Sequence, residues 1–147
     1  MESITSYMEL DHDLIDGFVA RAVDAAEAGD LGTMQAEGGE FLRRLRRHIE
    51  MEEDVLFPAF EQRTGMVEAG PSRQMRVEHE LMQPILARMQ DALAAQDGGG
   101  WRQATRSLLE ILQPHNVKEE QMMYPMLDDA TGAEAAVLVA QVKAMAL

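Results

Sequence analysis

The stretch HIEMEEDVLFP at positions 48–58 returns as HNVKEEQMMYP at 115–125, and this duplication constrains the fold more than any other feature of the chain. Adding 67 to a residue number carries Met8 to Met75, His12 to His79, Leu42 to Leu109, Leu45 to Leu112, His48 to His115, Glu52 to Glu119, Pro58 to Pro125 and Thr64-Gly65 to Thr131-Gly132. All four histidines obey the rule, and in each half the two lie 36 residues apart. Such a chain reads as two copies of one helical hairpin, with a histidine on each arm, paired about a pseudo-twofold axis. The predicted organisation is a single domain over 1–147: hairpins at about 1–66 and 67–132, then a closing segment at 133–147.

The hydrophobic periodicity makes those arms helices. Ile4, Met8, Ile15, Phe18, Val19, Ala22 and Ala26 recur at three- and four-residue spacing up to Gly29-Asp30. A second stripe runs from Met34 through Phe41, Leu42, Leu45, Val55 and Leu56 to Thr64-Gly65. A third opens after Gly70-Pro71 and continues through Met75, Met82, Ile85, Leu86, Met89 and Leu93. The fourth starts near Trp101, passes Leu108, Leu109 and Leu112, and fades at Thr131-Gly132. Strictly alternating strand patterns are absent, and good helix formers dominate. Four long helices with short links predict an all-α, antiparallel up-down four-helix bundle with a short fifth helix at the C-terminus.

The formal charge of −13, from 26 acidic and 13 basic side chains, repels phosphate backbones and anionic lipid, so neither nucleic acid nor membrane is an expected partner. The N-terminal residues lack a basic-then-apolar leader pattern and no apolar run approaches the roughly 20 residues of a bilayer span, so the expected location is cytoplasmic. Without cysteine there is no thiolate site, and any metal must be held by imidazole and carboxylate.

The residues for that task share faces. On an α-helix, His48 and Glu52 point within roughly 40° of each other, about 6 Å apart along the axis, and His115 and Glu119 repeat the arrangement. Glu53 and Glu120, rotated a further 100° or so, belong beside the site or in solvent. His12 and His79 lie on apolar stripes, between Met8 and Ile15 and between Met75 and Met82. Four imidazoles and two carboxylates thus converge in an apolar core. Unpaired carboxylates there cost several kcal/mol each, and metal cations remove that cost. A lone core histidine or an exposed His–Glu pair is the commoner origin of each half taken singly, and a metal-free helical interaction protein is the corresponding plain alternative. Structural histidines, however, have no reason to fall entirely at duplicated inward positions.

The zinc-hydrolase pattern fails, because HELMQ at 79–83 ends in Gln83 where a second histidine is needed. Calcium and magnesium favour oxygen ligands over imidazole. Two pairs of histidines joined by glutamates able to bridge suit two non-haem irons, with manganese or zinc less favoured. The expected metal ligands are His12, His48, Glu52, His79, His115 and Glu119, with Glu53 and Glu120 as less certain additions.

The set His12, HIEME at 48–52, His79 and HNVKE at 115–119, together with Glu52-Glu53 and Leu56-Phe57-Pro58, resembles the hemerythrin-like (HHE cation-binding) domain over about residues 8–130. The resemblance implies a four-helix bundle around a non-haem di-iron centre, oxo- or hydroxo-bridged, with the glutamates as bridges. Family members variously bind oxygen, sense oxygen or iron, handle nitric oxide or peroxide, or help repair iron–sulfur clusters. The chain departs from the oxygen carriers at two places. Met75 stands where their third helix offers an additional histidine, and Glu119 with Glu120 stand where their last helix offers a single aspartate. Four histidines then leave roughly one open position on each of two six-coordinate irons, unless Met75, Met8, Tyr7, Tyr124 or Glu120 fills it.

Open positions on both metals point to a small diatomic or peroxide ligand and to low-turnover oxidoreductase chemistry of a peroxidase-, catalase- or nitric-oxide-handling kind. The alternative is a module that senses oxygen or iron, or supplies iron, through a protein partner. The methionines read as core filler and RRLRR at 43–47 as a solvated face. Pro84 and Pro114 are expected to kink helices near the ligands. The segment 133–147 is expected either to cap the bundle or to form a homodimer or partner contact.

Overall fold

A computed structural model describes residues 2–147. Helix α1 spans Ile4–Glu27, α2 Leu31–Met51, α3 Phe57–Thr64, α4 Pro71–Ala94, α5 Gly98–Lys118, α6 Tyr124–Thr131 and α7 Ala135–Lys143. No strand occurs among the described residues. Helix α1 packs on α2 and α4 on α5, and the two hairpins close a ring through α1 with α5 and α2 with α4. No helix in this span is long and apolar enough to cross a membrane.

The duplication extends to the caps. Asp30 accepts a bond from the Thr33 amide to start α2, and Asp97, its mate, accepts one from the Gly100 amide to start α5. Helix α5 therefore begins inside the glycine run at Gly98, earlier than the apolar stripe alone places it. Gly65 ends α3 with a φ of 75°, a left-handed cap that a side chain would strain. Outside the helical stripe, the Asp128 carboxylate accepts bonds from the backbone amides of Ile4 and Thr5 and from the Thr5 hydroxyl, fixing the start of α1. At the start of α4 the mates keep only the hydroxyl bond, Ser72 donating to the Glu61 carboxylate.

The second and fourth long helices are not continuous α-helix. A five-residue π-turn, Glu52–Leu56, joins α2 to α3, and another, Glu119–Met123, joins α5 to α6. The duplicated prolines account for both: Pro58 and Pro125 have no N–H to give the carbonyl four residues back, and the ring crowds it. The amides just before them bond five residues back instead, Phe57 to Glu52 and Tyr124 to Glu119. Helices α4 and α5 continue through Pro84 and Pro114 without interruption.

Two apolar compartments fill the bundle. One gathers Ile15, Phe41, Leu42, Leu86, Trp101 and Leu108 towards the α1–α2 and α4–α5 turns. The other holds Ile4, Met8, Met51, Phe57, Phe60, Met75 and Leu127. Leu138, Val139 and Val142 of α7 are buried in this second compartment, so the closing segment caps the bundle. Each large side chain withdrawn from water contributes about 1.5–3 kcal/mol. Trp101 is fully buried and meets Phe41 edge-on at 6.5 Å, anchoring the turn end.

Candidate metal centre

Between the two compartments lies a polar layer. His12 follows Met8 of one compartment and precedes Ile15 of the other, and His48, His79 and His115 sit at the same junction on their helices. All six expected ligands converge there, with side-chain exposures of 0–5%. They form two groups whose donor atoms lie within 4.8 Å of one another: Glu52, His79, His115 and Glu119 in one, His12, His48 and Glu119 in the other. Each pair of histidines comes from one hairpin. Glu52 crosses from the first hairpin to the second hairpin's histidines, and Glu119 belongs to both groups.

The π-turns explain how one strand of helix delivers so much. Residues five apart on an α-helix point about 140° from each other. The wider turn brings Glu52 and Phe57 inside together, and likewise Glu119 and Tyr124, all four with no exposure.

Every imidazole turns one nitrogen inward and gives the other to a carboxylate. His48 Nδ1 is 2.8 Å from Asp11, His115 Nδ1 2.8 Å from Glu78, His79 Nδ1 2.9 Å from Glu53 and His12 Nδ1 2.7 Å from Glu120. Such bonds fix the ring's tautomer and orientation and raise the basicity of the inward nitrogen. Glu53 and Glu120 therefore stand beside the site, orienting histidines, and are partly exposed. Asp11 and Glu78 are anchors that helical-face reasoning passed over. Their signal was present, since each is the acidic residue immediately before a duplicated histidine and the two are 67 apart. Outer cations steady three of these carboxylates: Arg47 beside Asp11, Arg76 on Glu53 and Lys118 on Glu78.

The inward atoms fit a cation. Glu52 Oε1, His79 Nε2 and Glu119 Oε2 are buried without a hydrogen-bond partner. Glu52 Oε1 and His79 Nε2 are only 3.0 Å apart yet misaligned for a hydrogen bond. Orphaned donors at this depth cost about 1–3 kcal/mol each, and an ion between them would satisfy all three. The protonation pattern without metal carries the same strain. Burial pulls His48 down, but the Glu52 charge and the Asp11 bond outweigh it and push the imidazole up to about 10. His79 is likewise opposed by burial and lifted by Glu52 and Glu53 to about 9. Burial and the Glu119 charge raise Glu52, whereas Glu119, although penalised by burial, is held well below the usual carboxylate range by His115 and its other bonded neighbours.

Of the other candidates, Met75 and Met8 are buried in the second apolar compartment, and Tyr7 packs at its edge with Lys143 over the ring. Tyr124 is different. Its hydroxyl oxygen lies 2.7 Å from Glu52 Oε2, 2.9 Å from Glu119 Oε1, 3.0 Å from His48 Nε2 and 3.3 Å from His12 Nε2. Burial and the two carboxylates raise this phenol well above its ordinary value.

Comparison with known proteins decides the family. The family model described as the hemerythrin HHE cation-binding domain matches residues 3–127. This chain belongs to that family. An uncharacterized hemerythrin-like protein of Schizosaccharomyces pombe is 33% identical over 101 residues, covering 69% of this chain and 49% of that protein. The chain thus spans about half the length of the curated relative it matches. No solved structure matches it. Membership in a hemerythrin cation-binding family and the buried His/Glu cluster agree: the domain is a metal-binding helical bundle.

Proposed function

We propose that this hemerythrin-like protein holds two non-haem irons, one in each donor group, and that the centre binds or reacts with oxygen, peroxide or nitric oxide. The observation that carries the reading is the pair of imidazole–carboxylate groups sharing Glu119, with three orphaned donor atoms facing inward. A nitrogen- and oxygen-rich pair of this kind in a bundle core suits iron. Iron would supply reversible one-electron chemistry and a place for a small ligand to bind.

The chain's own residues set the conditions. His12, His48, His79 and His115 are oriented by their carboxylate partners before any ion arrives, which avoids reorganisation on binding. Glu119 reaches both donor groups and Glu52 links the hairpins, so the two positions are held at a fixed spacing. Every donor is buried between apolar compartments, which restricts access to molecules of a few atoms and keeps bulk water away. These features support low-turnover oxidoreductase chemistry on a diatomic or peroxide. Metal analysis of the freshly purified protein, with its near-ultraviolet absorption, should give two irons per chain. Stopped-flow mixing of the reduced protein with peroxide or nitric oxide should then give a rapid spectral change. Silence toward all small oxidants would end the reactive part of the reading.

One observation also favours a sensing role. The crossing glutamates tie one hairpin to the other, so occupancy adds directly to bundle stability. Limited proteolysis with and without iron tests this, and equal resistance in both states would refute it.

A further inference from the structure

We propose that Tyr124 is a ligand of one ion only, the one at the His12–His48 position, so that duplicated halves build two chemically different metal positions. This rests on the two-ion reading above. Two ligands adjacent on an octahedral ion lie about 3.0 Å apart, since metal–ligand bonds of about 2.1 Å meet at a right angle. The Tyr124 hydroxyl stands at 2.7, 2.9, 3.0 and 3.3 Å from four inward donor atoms. That is the spacing of one vertex from its neighbours; three of the four, Glu119, His48 and His12, are the donors assigned to this position, and the fourth, Glu52, belongs to the other. The donor count agrees: the His79–His115 group has four members and the His12–His48 group only three, and Tyr124 supplies the missing one.

The pseudo-twofold axis provides an internal control. The mate of Tyr124 is Phe57, and each lies over the corresponding histidine, Tyr124 at 5.7 Å from His12 and Phe57 at 5.8 Å from His79. Phe57 performs the packing at this place without a hydroxyl. The oxygen on Tyr124 is therefore not needed for the bundle.

Coordination forms one iron–oxygen bond and breaks the phenol O–H bond, and the proton leaves to solvent with no electron moved. A phenolate is a strong anionic donor that favours the ferric state, so the His12–His48 ion is the harder of the two to reduce.

The ferric protein tests the assignment. Wild type should hold two irons per chain and show a visible phenolate-to-iron charge-transfer band, with tyrosinate ring vibrations enhanced under excitation in that band. Y124F should keep its iron, lose band and vibrations together, and release one proton fewer on loading. F57Y should add a second, similar chromophore. Wild type with two irons and no tyrosinate vibrations overturns the proposal while leaving the metal centre intact, as does a Y124F protein that retains them or a Y7F protein that loses them. Wild type that binds no iron removes the two-ion reading itself, and the assignment with it. Should Y124F fail to fold, the vibrational spectrum of wild type decides alone.

Discussion

Loading the centre with metal should expel protons, and the structure sets how many. Without metal, His48 titrates at about 10 and His79 at about 9, so at pH 7.5 both are imidazolium. Their Nδ1 protons stay with Asp11 and Glu53, and a cation can take the Nε2 position only when that proton leaves. Loading at pH 7.5 therefore works against roughly 2.5 pH units at one site and roughly 1.5 at the other, together about 5 kcal/mol at 1.36 kcal/mol per unit. Two protons at least are released per chain, and between pH 6.5 and 8.5 the overall affinity for two ions rises about 100-fold per pH unit from these two histidines. Zinc is a suitable redox-silent probe. Calorimetric titration of the metal-free protein in buffers of different ionisation enthalpy counts the protons, and a chelator competition series gives the pH slope. Proton-free loading, or an affinity flat across that range, would show that the histidines are neutral before metal arrives and would refute the reasoning.

Further outcomes follow from the same geometry. The metal-free protein should be least stable in alkali. Raised His48 and His79 contribute stability that is complete below about 6.5 and lost as pH climbs through 9 to 10, whereas depressed Glu119 contributes above its ordinary value and loses that contribution as acid overtakes its lowered pKa. Melting followed from pH 5 to 10.5 in the presence of a chelator should fall at the top of the range, and a rise toward pH 10 would contradict the assignment. E119A should abolish binding at both positions, because Glu119 belongs to both donor groups, while H115A should spare one ion; metal analysis showing the reverse would break the grouping. D11N should weaken metal binding about 10- to 100-fold through the loosened His48 ring, measured by competition with a chromophoric chelator, and unchanged affinity would deny Asp11 its orienting role. W101A should cost about 3–5 kcal/mol in thermal or denaturant unfolding yet leave metal affinity alone, since Trp101 lies in the compartment at the turn end.

The four long helical arms and the convergence of the six His and Glu side chains were legible because each is written twice. A single His12 on an apolar stripe means little, but His12 and His79 at matching places, each flanked by apolar residues that the structure buries, leave one direction for both rings. Straight-helix geometry was enough for His48 with Glu52. It failed beyond Glu119, because the 100° rule does not hold in the π-turn before Pro125, so Tyr124, one of several candidates to fill an open position, could not be singled out as the side chain that reaches four inward donors. Asp11 and Glu78 were hidden for another reason. Each points off its own helix's inner face toward the adjacent arm of its hairpin, and that relation is set by interhelical packing, which periodicity along one helix does not encode. The start of α5 in a glycine run was likewise decided by the cap from Asp97 rather than by propensity.

The crossing of the two glutamates has a consequence for how the chain matures. The first hairpin alone offers only two imidazoles, because its carboxylate, Glu52, is grouped with the second hairpin's histidines. During synthesis the first arm pair therefore has no complete cage to offer, and tight retention of metal begins only once the last long helix has docked. Occupancy becomes a certificate that assembly is finished, and any truncated product is marked by its inability to hold the cargo.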